Sequence, residues 1–328
     1  MPKNDTENKN TRIYKEGFCK IDASFVTECD ARFEGLLSSA VKSFAKNNSS
    51  RVIGLTGPTC SGKTTAAKKL IEYLGDEKKR VHTISLDDFY KTVYPRSRAE
   101  LAKTDVSKLD FDSPDTLDTA ELEKFTTELF SRGVASKPIF SFESGEREGY
   151  EEIISDDDDV YIFEGIQVLY PSVLSIIEGN GGQVLCVCPE SGIEVEGRKF
   201  KPNFIRLCRR LVRDYNFRAS SAEFTFSLWD GVRRNEKENI FPLMPRCDLV
   251  IDTTLEYEMN VLAPYLRRIL ANMTRGDEHY EKSLEILSER IFYVEFRRNN
   301  IVYGHIHYSS AGRFKHIVNG INGTFKSD

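Results

Sequence analysis

Eight residues, Gly57-Pro58-Thr59-Cys60-Ser61-Gly62-Lys63-Thr64, constrain this chain more than any other stretch. They have the form G-x-x-x-x-G-K-T. Glycines let the backbone wrap a phosphate with its N–H groups turned inward, the lysine reaches the β- and γ-phosphates, and the last hydroxyl can hold Mg²⁺. So short a pattern arises by chance, and its flanks decide. Arg51 to Thr56 reads as a buried strand running into it, and Ala66, Ala67, Leu70, Ile71 and Leu74 recur afterwards at helical spacing. A strand, a glycine loop and a helix N-terminus make an anion site, because the free N–H groups and the helix dipole face the same point. Gly57, Thr59, Cys60, Ser61, Gly62, Lys63, Thr64 and Thr65 are therefore the expected contacts of a bound triphosphate.

The flanking sequence repeats the pattern. Strand candidates lie at Arg80–Leu86, Asp159–Phe163, Gln183–Cys188 and Leu249–Ile251, with helical segments between them. Asp118-Thr119-Ala120-Glu121 has the form of a capping box, ahead of a helix carrying Leu122, Phe125 and Leu129. Strands alternating with helices predict an α/β fold: a parallel five-stranded sheet covered by helices on both faces, of the P-loop NTPase type. Ligands bind such sheets beyond the carboxyl ends of the strands. Three segments are expected: a polar tail and N-terminal helix over residues 1–49, the helix carrying Phe33, Leu36, Leu37, Ala40, Val41 and Phe44; a P-loop domain over 50–255; and a mixed helical and β extension over 256–328. In that extension, 292–296 and 301–308 read as the arms of a hairpin. Ser155 to Asp159 reads as a solvated acidic turn.

A net charge of −5 argues against a general nucleic-acid binder, and no apolar run approaches the roughly 20 residues of a membrane helix. The polar N-terminus lacks a signal-like apolar stretch, so a cytoplasmic location is the expectation. Seven scattered cysteines without a CxxC pair fit reduced thiols. Cys186 and Cys188 share a strand face and read as core thiols. His305 and His307 share another, and read as solvent-facing.

Three further stretches bear on chemistry. Ile84 to Tyr90 ends a strand in Asp87 and Asp88. One acid there can cap a helix while the other accepts a proton from an attacking hydroxyl or holds Mg²⁺. Tyr161 to Ile166 ends a buried strand in Glu164, either an ordinary strand-end carboxylate or part of a Mg²⁺ shell. Arg206, Arg209, Arg210 and Arg213 share one helix face, with Arg218 beyond. Such a run is commonly solvated, yet guanidinium groups closing over transferring phosphates neutralise the charge this chemistry develops.

Together these stretches resemble the uridine kinase/phosphoribulokinase family of P-loop kinases. Ser85-Leu86-Asp87-Asp88-Phe89-Tyr90 resembles its S-x-D-x-F-Y motif, and Asp110 to Asp115 its N-F-D-H-P-D segment. Glu164-Gly165-Ile166 resembles its E-G-I, and Arg206 to Asp214 its R-L-x-R-R-x-x-R-D helix. The resemblance spans roughly residues 50 to 260 and implies an ATP- and Mg²⁺-dependent kinase acting on a hydroxyl of a nucleoside-like small molecule. It implies Asp87 as general base and Lys63, Arg213 and Arg218 as phosphate-side catalytic residues, with a lid near 206–228. Thr64, Glu164 and Asp87 would surround the metal. Tyr90, Asp112, Phe140, Arg147 and Arg210 would line the acceptor. The chain departs from the family at Pro138 to Arg147: where uridine–cytidine kinases carry P-x-Y-D-F and a following histidine, it has Phe140, Ser141 and Gly145. Other readings are a sugar-phosphate or pantothenate-like kinase, or a nucleotide-binding regulator without catalysis. No N-K-x-D motif supports a GTPase. The sequence implies neither a nucleic-acid nor a membrane partner, and leaves a homo-oligomer open.

Overall fold

The computed structural model describes residues 14–16, 23–46, 51–91, 113–141, 144–195, 197–287, 304–309 and 313–318. In chain order the elements are β1 (Tyr14–Glu16), α1 (Ala23–Lys46), β2 (Val52–Thr56), α2 (Lys63–Asp76), β3 (Val81–Ser85), α3 (Thr119–Arg132), β4 (Val134–Ser141), β5 (Glu146–Ile154), β6 (Val160–Glu164), α4 (Pro171–Gly179), β7 (Gln183–Cys188), β8 (Gly192–Val195), β9 (Arg198–Phe200), α5 (Pro202–Phe217), α6 (Ala222–Asn235), β10 (Leu249–Asp252), α7 (Glu258–Leu270), α8 (Tyr280–Leu287), β11 (Gly304–Ser309) and β12 (Arg313–Val318).

All five expected strands enter one parallel sheet, in the order β10-β7-β2-β6-β3. Alternation along each strand divides the core. Ile53, Leu55, Ile162, Leu185 and Val187 pack with Leu37, Val41 and Phe44 of α1 and Leu70 and Leu74 of α2. Their neighbours Val52, Tyr161, Phe163 and Val184 face the other way, onto Leu122, Phe125 and Leu129 of α3 and Val173, Leu174 and Ile177 of α4. Strands buried on both faces read as continuous apolar runs, which is why they stood out in the sequence. The N-terminal helix therefore covers the sheet, although Leu36 on it is exposed. A third core joins α5, α6 and α7 through Leu207, Leu211, Phe226, Trp229, Leu262 and Leu266, so packing continues across residue 256.

One sequence expectation needs correction, and two strand pairings lie beyond the sequence reading. The acidic turn is solvated only at Asp156, Asp157 and Asp158. Asp159 is buried and accepts from Arg80 at 3.1 Å, with His82 Nε2 at 2.7 Å. The strand over 304–309 pairs antiparallel with 313–318, and 292–296, its expected partner, lie outside the described residues. The segment 134–154 forms a two-stranded hairpin, β4–β5, that no sequence expectation contained. Its apolar residues alternate too weakly to stand out, since one face of each strand is solvated.

That hairpin is tied to α3. Asp118 caps α3 by accepting from Glu121 N at 3.1 Å, and its other oxygen accepts from Arg147 of β5 at 3.3 Å. Asp118→Ala should cost about 1–2 kcal/mol, read as a lower urea midpoint, with Asp118→Ser recovering part of the loss. An unchanged midpoint in both would show that the cap contributes nothing.

Candidate active site

Strand register brings the site together. Glu164, the last residue of β6, lies opposite Leu55 of β2 on one side and Ser85 of β3 on the other. The phosphate loop starts two residues after Leu55, and Asp87 stands two residues after Ser85. The loop, Glu164 and Asp87 therefore meet at the carboxyl ends of three adjacent strands, where ligands bind in such sheets. Lys63 and Asp87 both act on the Glu164 carboxyl. Burial, with Asp87 adding to it, pushes that carboxyl up to about 7 against the pull of the Lys63 ammonium.

The loop is shaped for anions. Gly57 has φ 150°, and a Cβ there would lie 2.0 Å from the Val187 carbonyl oxygen of β7, so no side chain fits. Gly62 is the N-cap of α2 and supplies no side-chain cap, leaving the first N–H groups of the helix to a ligand. Lys63 Nζ is held by the Gly57 and Pro58 carbonyls at 2.8 and 3.3 Å. Thr64 lies next to it, and Thr65 is buried on the first turn of α2. Cys60 carries φ 57°, a left-handed conformation that costs a non-glycine residue roughly 1–2 kcal/mol.

Three successive loop carbonyls are bonded from outside. Arg206 donates to Thr59 O at 3.1 Å, Arg209 to Cys60 O at 3.2 Å and the Thr253 hydroxyl to Ser61 O at 2.7 Å. A planar trans peptide points its N–H opposite its carbonyl, so the N–H groups of Cys60 and Gly62 face the other way. Both arginines are buried and paired. Glu236 takes Arg206 through both oxygens, one contact at 2.7 Å, and Glu258 takes Arg209 at 2.6 and 2.8 Å.

The arginine stripe of α5 is thus divided. Its first two members brace the loop. Arg210, Arg213 and Arg218 instead gather on Asp214, at 3.2, 2.6 and 3.9 Å. Burial would raise the Asp214 carboxyl, but Arg213, Arg210 and Arg218 outweigh it and hold it below its ordinary value. One carboxylate facing three guanidinium groups leaves a local excess of positive charge, and Arg218 is 59% exposed.

On the other side of Asp87 the two neighbouring acids separate their tasks. Asp87 Oδ1 accepts from Gln167 at 2.9 Å. Asp88 fastens the hairpin, pairing with Lys137 at 2.8 Å and accepting from Phe140 N at 3.4 Å. The Phe140 ring lies against Tyr90, with centroids 5.7 Å apart. Arg147 is engaged by Asp118, Tyr150 and Glu121 at the joint between hairpin and α3. Asp112 lies outside the described residues. Gln167, Asp88, Lys137, Glu236, Glu258 and Asp214 complete the site. Sequence reasoning gave Asp88 a part only as a helix cap or as the second candidate acid, and the others none, since each acts through a partner distant in the chain or, for Asp214, through the arginines around it.

Residues 52–178 match the sequence model of the Phosphoribulokinase / Uridine kinase family. Over those residues the chain is similar to that family. The uridine-cytidine kinase 2-B of Danio rerio is 30% identical over 124 residues, 36% of this chain and 46% of that protein. The uridine-cytidine kinase B of Dictyostelium discoideum is 28% identical over 218 residues, 64% of this chain and 80% of that protein. A solved Bacillus stearothermophilus structure described as a possible uridine kinase is 16% identical, covering 66% of this chain and 99% of that one, with a TM-score of 0.42. The family is one of phosphotransferases, and among the described residues no helix is long and apolar enough to cross a membrane.

The buried pairs around the phosphate loop give a direct expectation. Glu258→Leu strands the Arg209 charge and should destabilise the chain by about 3–5 kcal/mol. Arg209→Met with Glu258→Leu should recover most of that in urea melts while the affinity for ATP stays low. Recovery of affinity together with stability would show that Arg209 does not shape the loop.

Proposed function

We propose that the chain is an ATP-dependent kinase that phosphorylates a hydroxyl of a small, ribose-bearing molecule, with the 5′-hydroxyl of a uridine-like nucleoside as the leading acceptor. The observation that carries this reading is the meeting of Lys63, Glu164 and Asp87 at three strand ends beside an anion-shaped loop. The likeness to two uridine–cytidine kinases supports the nucleoside as acceptor.

The residues fit the donor. Loop carbonyls drawn outward, the uncapped N-terminus of α2 and the Lys63 ammonium form a cradle for phosphate oxygens. They also fit Mg²⁺. The Thr64 hydroxyl and the Glu164 and Asp87 carboxylates are hard oxygen donors, and a buried carboxyl beside a second acid favours a cation. When bound, the ion neutralises charge on the β- and γ-phosphates. In the reaction, Asp87 takes the proton of the acceptor hydroxyl as its oxygen attacks phosphorus. Lys63 holds the β/γ-phosphates in line. Arg210, Arg213 and Arg218, kept together by Asp214, face the charge that spreads over the transferring group. Asp112 holds the sugar hydroxyls, Tyr90 and Phe140 wall the acceptor base, and Arg147 steadies that wall.

A second reading, a kinase of another metabolite, draws on Phe140, Ser141 and Gly145. They replace polar groups that would bond a pyrimidine edge, and a site lacking such groups discriminates weakly.

Two experiments test the proposal. ADP release with a panel of nucleosides and sugar phosphates should be greatest with a pyrimidine nucleoside. It should fall about 10²–10⁴-fold in Asp87→Asn, and disappear in Lys63→Ala. Turnover with sugar phosphates and no nucleoside selects the second reading, and near-normal turnover in Lys63→Ala ends both. Mg²⁺ and a proton compete for Glu164, whose carboxyl sits at about 7. The acid limb of the rate profile should therefore lie near that pH at limiting Mg²⁺ and move to lower pH as Mg²⁺ rises. A limb that ignores Mg²⁺ would remove Glu164 from the metal site.

A further inference from the structure

Gln167 follows Glu164 by three residues, in the short turn Ile166–Leu169 after β6, and is 1% exposed. Its Nε2 donates to Asp87 Oδ1 at 2.9 Å and to the Tyr90 hydroxyl at 2.8 Å, using both amide hydrogens. Its Oε1 is buried with no hydrogen-bond partner among the described residues. The amide cannot be turned around to relieve this, because Oε1 would then face the Asp87 carboxylate, acceptor against acceptor. Room for the side chain comes from Gly165. A Cβ there would lie 2.2 Å from Gln167 Oε1.

A buried amide oxygen left without a partner carries a desolvation cost that offsets most of what the two donated bonds add to stability. Folding therefore gives little reason for glutamine at this position, whereas the groups its two donated bonds reach give one. They reach the expected base and the aromatic ring that packs on Phe140 of the acceptor hairpin. We propose that Gln167 is a positioning residue for phosphoryl transfer. It aims the Asp87 carboxylate and keeps it in register with the Tyr90–Phe140 wall, so that base and acceptor are set by one amide. This rests on the kinase reading above, with Asp87 as base.

The test uses the full chain and four variants: Gln167→Met, Gln167→Glu, Asp87→Asn and Asp87→Asn with Gln167→Met. Rates are read as ADP release with uridine as acceptor and, in parallel, with water alone, and stability as the urea midpoint. Gln167→Met should lower kcat at least tenfold, leave the KM for ATP within twofold, and keep or raise the urea midpoint. Gln167→Glu, which keeps the shape but sets a carboxylate against Asp87, should lower kcat further. In the Asp87→Asn background, Gln167→Met should change the residual rate less than twofold. Wild-type kcat in Gln167→Met, or a loss of rate matched by a loss of stability, overturns the role of Gln167 and leaves the kinase reading standing. Full activity in Asp87→Asn overturns the base assignment itself, and the positioning role with it.

Discussion

Three outward-facing carbonyls hold the active end of this molecule in shape. The loop has few side chains of its own to pack, and a glycine-rich turn loses much freedom when ordered. Thr59, Cys60 and Ser61 are fixed because Arg206, Arg209 and Thr253 bond their carbonyls. Those donors come from α5 and from the end of β10. They are held in turn by Glu236, beyond α6, and Glu258, at the start of α7. Four distant parts of the chain thus converge on one turn of backbone. Buried ion pairs contribute little net stability, since desolvation offsets most of their attraction. Their value here is directional: fixed donors on one side of the loop leave its N–H groups on the other.

The same economy recurs around Asp214 and Glu164. Asp214 gathers three arginines that would otherwise repel one another, and it is their shared attraction that lowers its carboxyl despite burial. Glu164 has the opposite surroundings, with burial and Asp87 outweighing Lys63. A carboxyl raised in the folded chain lowers stability as pH climbs from the ordinary glutamate range to about 7, because the unfolded chain ionises first. The acid at the end of β6 is thus an element of electrostatic strain in the folded chain near neutral pH.

Much of this was legible in the sequence. The five strands are short apolar runs, and their parallel pairing follows from the helices between them. The phosphate loop, Asp87 and Glu164 sit at strand ends, where motif and topology agree. The hairpin β4–β5 was hidden because strands solvated on one face carry polar residues at alternate positions. Gln167, Glu236 and Glu258 were hidden for a different reason. Each is an ordinary polar residue whose meaning lies in a partner 80, 30 or 49 positions away. Spacing cannot report such contacts. The arginine stripe shows the limit from the other side: periodicity identified the shared face, and only packing divided it into a brace for the loop and a cluster on Asp214.

The adjacency of Asp87 and Asp88 puts two separate attachments on one turn of chain. The β4–β5 hairpin is tied to the turn after β3 by Asp88 through Lys137 and Phe140 N, to α3 by Asp118 through Arg147, and to Arg80, just ahead of β3, through the Ile154 carbonyl. None of these ties passes through the loop or Glu164. A change on the hairpin therefore meets the phosphate loop indirectly, by way of Tyr90, Gln167 and Asp87. A single turn of chain is thus the joint between the hairpin and the strand ends.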